Sequence, residues 1–117
     1  MRKIALFLAV IIVITMPLNV SAASRAITVN PTLGFVLTTA ECEATVVADY
    51  GTDYIEVTMK LMRGSSCVAT WSDSGYGYVY MYEEASIARK VTYTLVVHVK
   101  VNNIELDPAS VSGRSNW

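Results

Sequence analysis

Few side chains of this sequence combine in a pattern that could perform acid–base or nucleophilic chemistry. His98 is the only histidine, so a Ser-His-Asp or Cys-His arrangement would have to use it. It falls within an alternating run of residues, on the face opposite the aliphatic side chains, where a solvated strand histidine is the ordinary interpretation. The sequence therefore predicts no catalytic role for His98 and a protein that is not an enzyme.

The candidate metal ligands and carboxylates also lack the required spacing. A zinc site needs three or four clustered ligands, and one histidine with two cysteines, without CxxC or HxxxH spacing, does not supply them. Glu83 and Glu84 are neighbours in a predicted loop, whereas glycoside hydrolysis needs two carboxylates about 5–10 Å apart across a groove. Gly75 and Gly77 precede a strand, so they do not form a phosphate-binding loop. We expect no catalytic residue, no metal and no cofactor.

The strongest feature is a run of alternating tyrosines between residues 74 and 82 (SGYGYVYMY). Side chains two residues apart in an extended strand project from the same face, which would place four tyrosines together. A tyrosine ring is a flat apolar surface with a polar tip, suited to stacking on sugar rings or on a protein partner. The candidate binding surface consists of Tyr76, Tyr78, Tyr80 and Tyr82, with Trp71 on the preceding strand.

Two other interpretations of this run are open. Tyrosine has a high β propensity and often lines an ordinary solvated sheet face. Alternatively, the tyrosines could point into the core, with Val79 and Met81 outward. Trp71 could join the tyrosines or anchor the core, and a buried tryptophan is the commoner outcome in a β-sandwich.

Period-two patterns dominate the chain after residue 22, and no helical stripe of useful length is present. The clearest amphipathic strands are 55–61 and 90–101. Shorter extended segments are expected at 26–30, 34–39, 41–48, 67–72, 76–82 and 104–106.

Turn and breaker residues separate these segments. Pro31 divides the first two, residues 83–88 are ambiguous and could form a helical turn, and Pro108 marks an edge or a strand end. Asn102-Asn103 is a plausible hairpin turn, because asparagine tolerates positive φ. About seven short strands at 8–12-residue spacing predict an all-β protein, a small antiparallel β-sandwich with the aliphatic faces inside.

The N-terminus has the three parts of a secretory signal peptide. Arg2 and Lys3 are positive, residues 4–16 are uncharged, and Val20-Ser21-Ala22 places small residues before a cleavage site. The uncharged run is shorter than the ~20 residues of a membrane-spanning helix. We predict a cleaved helical signal peptide at 1–22, one domain at 23–117, a secreted, extracytoplasmic location and no stable membrane anchor after cleavage.

The predicted mature domain is mildly acidic. Without Arg2 and Lys3 it contains seven basic and ten acidic residues, which gives a net charge of −3. The domain lacks the basic stripe that nucleic-acid binding requires, so no nucleic-acid partner is expected.

Cys42 and Cys67 both belong to the exported part, and an oxidising compartment favours a disulfide bond between them. The bond would close a loop of about 25 residues and stabilise the domain by roughly 3 kcal/mol. Two buried free thiols are the alternative.

Residues 44–63 (ATVVADYGTDYIEVTMKLMR), 69–84 (ATWSDSGYGYVYMYEE) and 91–110 (VTYTLVVHVKVNNIELDPAS) resemble a loose group of short exported bacterial proteins with one immunoglobulin-like β-sandwich. The shared pattern is a cysteine-containing strand, an amphipathic strand ending in Met-x-Leu, a Trp-Ser before a glycine-rich turn and a final Thr-Tyr-rich strand. The resemblance implies an immunoglobulin-like sandwich and no assigned activity. It also departs from true immunoglobulin domains, since Trp71 follows both cysteines and Leu95 stands where the second cysteine is expected. The usual inter-sheet bridge is therefore excluded, while Tyr93 could act as a tyrosine corner.

The leading hypothesis is a secreted, non-enzymatic binding module that contacts a cell-surface glycan or protein through the tyrosine strand. The alternative is a structural or assembly protein whose edge strand pairs with another chain. In that case residues 26–39 would be the donor or acceptor strand.

Overall fold

The computed structural model describes residues 26–116, so the predicted signal peptide at 1–22 lies outside the described residues. The described part is all β and contains no helix long and apolar enough to cross a membrane. Its eight strands are β1 (Thr28–Val36), β2 (Thr39–Val47), β3 (Tyr54–Arg63), β4 (Ser66–Tyr76), β5 (Tyr78–Ser86), β6 (Thr92–Val101), β7 (Ile104–Glu105) and β8 (Ala109–Arg114).

These strands form two antiparallel sheets, which confirms the all-β sandwich prediction with one strand more than expected. The first sheet has the order β1-β2-β5. The second has the order β4-β3-β6, and both β7 and β8 pair with the free side of β6.

The core lies between the inner faces of the two sheets. In β2, β3 and β6 every second side chain is buried, as the alternating pattern predicted. Burying a large aliphatic side chain contributes about 1.5–3 kcal/mol, so these three strands supply much of the folding energy. The completely buried side chains include Ala40, Cys42, Ala44, Val46, Ile55, Met59, Leu61, Leu95 and Val97.

Pro31 does not divide the N-terminal segment as the sequence predicted. Strand β1 runs through it without a break, with Pro31 opposite Ala44 of β2. Because β1 is an edge strand, one side of its backbone needs no hydrogen-bond donors, and a proline is tolerated there.

The ambiguous segment 83–88 contains no helical turn. Strand β5 continues to Ser86 because it pairs with the whole length of β2. Tertiary pairing thus overrides the weak local preference of this segment.

The C-terminal strands combine one confirmed turn with one missed strand. Asn102 and Asn103 have φ values of 51° and 67°, which confirms the predicted hairpin turn between β6 and β7. Strand β8 was not predicted, because its sequence ASVSGR is rich in serine and glycine. It is held in place by pairing with β6 from Thr92 to Val97.

The predicted disulfide bond between Cys42 and Cys67 is wrong, since both cysteines are free thiols. Cys42 is buried on the inner face of β2 in the first sheet, whereas Cys67 is exposed on β4, an edge strand of the second sheet. Burial, with a smaller contribution from the charge of Glu83, raises the pKa of Cys42 from its ordinary 9.0 to about 11.

We expect iodoacetamide at about pH 8 to label the native protein once, at Cys67, and the unfolded protein twice. Only a thiolate reacts, and Cys42 is both inaccessible and protonated at that pH. The raised pKa also means that burying the neutral thiol of Cys42 stabilises the folded state fully below pH 9.0. This contribution is lost as the pH rises through about 11, because the thiol then ionises in the folded state as well. Intact mass and peptide mapping measure the labels, and a native Cys67→Ser variant should take none. Native labelling at Cys42, or a mass lower by two hydrogens, would contradict this assignment.

Candidate binding surface

Three of the four candidate tyrosines project from the outer face of the first sheet. Tyr78, Tyr80 and Tyr82 on β5 are 56, 46 and 42% exposed. Val79 and Met81 between them are buried. The alternative in which the tyrosines fill the core is therefore wrong, and the first sheet presents a row of exposed phenol rings.

Tyr76 lies in the other sheet, so the tyrosine run is not the single strand that its pattern suggested. Strand β4 ends at Tyr76, and Gly77, with φ 75°, leads the chain into β5 of the first sheet. The ring of Tyr76 packs against that of Tyr54, with 5.0 Å between ring centroids. The row on β5 thus has three members, and Tyr76 is separate from it.

Both backbone polar groups of Gly77, its N–H and its carbonyl, form hydrogen bonds. Its N–H donates to the carbonyl of Asp53 at 2.8 Å, and its carbonyl accepts from the N–H of Ala48 at 3.0 Å. A Cβ atom at this position would lie 2.8 Å from the Cα of Gly51. A glycine is required here both by the positive φ and by this close backbone approach.

Trp71 does not join the tyrosine row. It lies on β4 opposite Met59 of β3, is half-buried and packs against the core. The structure thus selects the second alternative for this side chain, an anchor on the inner side of the second sheet.

Carboxylates of β2 and β5 surround the tyrosine tips. The hydroxyl of Tyr80 donates to Glu43 of β2. The hydroxyl of Tyr82 donates to Glu84, two residues further along β5, at 2.7 Å. These hydrogen bonds are the main reason that the pKa values of both phenols are raised above their ordinary 10.0. Both hydroxyls are protonated at neutral pH and act as donors.

We call this surface the tyrosine–glutamate face. Only part of this surface could be predicted from the sequence. The alternation of β2 indicated that Glu41 and Glu43 share one face, but no pattern indicated that β2 lies beside β5. The face consists of Tyr78, Tyr80, Tyr82, Glu41, Glu43 and Glu84.

The outer face of the second sheet is different in character. His98 is half-buried on β6 opposite Thr58 of β3, in a shallow depression that is also lined by Lys60 and Glu105. Its charges are mixed in sign. Within residues 26–116, no group of three or more His, Cys, Asp or Glu side chains is placed to hold a metal ion.

No protein family matches the sequence, and no curated protein is significantly similar to it. The candidate site therefore rests on the chemistry and geometry of the chain itself.

Proposed function

We propose that this protein is a secreted, non-enzymatic binding module that contacts a cell-surface glycan or protein through the tyrosine–glutamate face. The observation that carries the proposal is the row of three exposed tyrosines on β5. Tyrosine is enriched at protein interfaces because it buries a large, nearly rigid apolar area and still offers a polar tip.

The backing of this row favours binding over simple solvation. The opposite side of β5 is packed into the core through Val79 and Met81, so the rings stand on a fixed support. Hydrogen bonds to Glu43 and Glu84 restrict the tips of Tyr80 and Tyr82. A surface that is ordered before binding loses less conformational entropy when the partner arrives.

The fold is in keeping with this role, and we assign it to the immunoglobulin-like sandwiches. A sheet of the first, second and fifth strands packs on one that contains the third, sixth and last strands, as in immunoglobulin domains. The fourth strand lies in the second sheet instead of the first. Near the start of β6, the hydroxyl of Tyr93 accepts a hydrogen bond from the N–H of Ala88 at 2.8 Å, the contact of a tyrosine corner. Such sandwiches are common in cell-surface domains, which fits the predicted export.

We expect a variant with Tyr78, Tyr80 and Tyr82 changed to serine to be retained at least about tenfold less than the wild type on cell-surface extract or cell-wall polysaccharide. The reason is that the aromatic contact area is removed while the buried side of β5 is unchanged. The measurement is a pull-down with the mature protein, together with a melting curve to show that the variant folds.

Tyr76→Ser is the matched control for this experiment. Tyr76 is the most exposed of the run at 68%, but it lies on β4 and outside the tyrosine–glutamate face. Its replacement should leave retention unchanged. Equal retention of the wild type and the folded triple variant would refute the proposed function.

One observation supports assembly through an edge strand as a second candidate. Strand β4 is an 11-residue edge strand that is exposed along most of its length. The segment named from the sequence, residues 26–39, is a weaker candidate because β1 contains Pro31, which cannot donate to a neighbouring strand. Under this candidate, β4 is the pairing strand and the mass in solution rises with concentration.

A further inference from the structure

The charges of the two sheets are segregated. The strands of the first sheet contain four glutamates and no lysine or arginine. The strands of the second sheet contain Lys60, Arg63, Lys100 and Arg114 beside three acidic residues. A cationic partner would therefore be attracted to one side of the molecule.

Two of these glutamates face each other directly. Glu41 of β2 is the register partner of Glu84 of β5 on the outer face of the sheet. Like charges directly opposite one another across a strand pair destabilise the sheet. The hydroxyl of Tyr82 interacts with both carboxylates but is a single donor for the pair, so a bound cation would add further donors and positive charge there.

The hydrogen bonds of the face leave it rich in acceptors. The hydroxyls of Tyr80 and Tyr82 already donate their hydrogen bonds to Glu43 and Glu84. An ionised carboxylate accepts through about four lone-pair sites and donates none, so unused acceptor sites remain. Guanidinium and ammonium groups supply donors and positive charge to such carboxylates. The exposed phenol rings attract the same cations through their negative faces.

The spacing of the tyrosines in the row matches that of side chains on an extended polypeptide. Side chains at alternate positions of a strand are separated by about 6.6–6.8 Å, so Tyr78 and Tyr82 stand roughly 13 Å apart. An extended polypeptide with a cation at every second position repeats at the same distance. A neutral sugar has no charge to match this face, and an anionic polymer is repelled by it.

We infer that the partner of the tyrosine–glutamate face is an extended polypeptide segment rich in arginine or lysine. This inference rests on the proposed function and selects a protein, not a glycan, as the class of ligand. Binding occurs through carboxylate–cation hydrogen bonds and cation–π contacts along β5.

The test uses a labelled synthetic peptide of about ten alternating arginine and serine residues, whose affinity is measured by fluorescence anisotropy at low and at moderate salt. Changing Glu41, Glu43 and Glu84 to glutamine should weaken its binding by at least about tenfold. The matched control changes Glu56, Asp73 and Glu105 of the second sheet to their amides, which alters the net charge equally. The control should bind within about twofold of the wild type, because its charges are on the other sheet.

The outcomes separate this inference from the proposed function. Equal weakening by both charge variants would show non-specific attraction and overturn the inference. Tight binding of a neutral polysaccharide that survives the glutamine changes and is lost with the tyrosines would also overturn it, yet leave the proposed function standing. If the tyrosine variant keeps all binding to extract and to peptide, both fail. A melting curve checks that the glutamine variant folds, since an amide oxygen can still accept a hydrogen bond from each tyrosine hydroxyl.

Discussion

A Gly77→Ala variant is expected to lose about 3 kcal/mol of unfolding free energy. Placing a residue with a Cβ atom at φ 75° costs roughly 1–2 kcal/mol. The added atom would also lie 2.8 Å from the Cα of Gly51, and relieving such an overlap typically costs a further 1–3 kcal/mol. Because hydrogen bonds to Asp53 and Ala48 fix the peptide units of Gly77, the chain has little room to shift.

Gly64→Ala is the control that separates the two contributions. Gly64 also has a positive φ, 61°, but a Cβ atom there would meet no atom within 4 Å. It should therefore lose only the backbone part, roughly 1–2 kcal/mol. Urea unfolding monitored by tryptophan fluorescence measures both variants. If the two variants are equally destabilised, contact with Gly51 contributes nothing and the account of this junction is wrong.

The junction at Gly77 also explains a limit of the sequence prediction. The order Tyr76-Gly77-Tyr78 keeps the period-two pattern, so one continuous strand and two strands in different sheets give the same signal. The choice between them is made by tertiary contacts with the turn at residues 48–53, which no local pattern contains. The sequence could offer the exposure of Tyr78, Tyr80 and Tyr82 as one alternative. It could not indicate that Tyr76 lies in the other sheet.

The same distinction applies elsewhere in the fold. The inner faces of β3 and β6 were predictable, because period-two alternation is a property of each strand alone. Which strands lie side by side was not, and for this reason Glu43 of β2 was missed as the partner of Tyr80. Glu84 was missed as the partner of Tyr82 because it was assigned to a loop and not to the same strand. The disulfide prediction failed for the same reason, since the spacing of Cys42 and Cys67 does not indicate that they belong to different sheets.

A Leu95→Ala variant is expected to lose about 3 kcal/mol of unfolding free energy, within the 2–5 kcal/mol typical of a buried leucine. Leu95 is completely buried in β6, between its register partners Leu61 of β3 and Val111 of β8. Truncation would leave a cavity on the inner face of the strand that joins these two neighbours. Since a domain is stable by only about 5–15 kcal/mol, the loss is a large fraction of the total.

The size of this effect follows from how the two sheets are joined. Cys42 of β2 is a free thiol, and β6 presents Leu95 on its inner face. Apolar packing must therefore hold the two sheets together without a disulfide bond. Ile104→Ala is the control, because Ile104 is 67% exposed on β7 and should change stability by less than about 0.5 kcal/mol. Urea unfolding with and without a reducing agent measures both variants. If Leu95→Ala loses less than about 1 kcal/mol of unfolding free energy, the core is not held by packing at this position. If the wild type has two free thiols, its unfolding curves with and without the reducing agent should be identical.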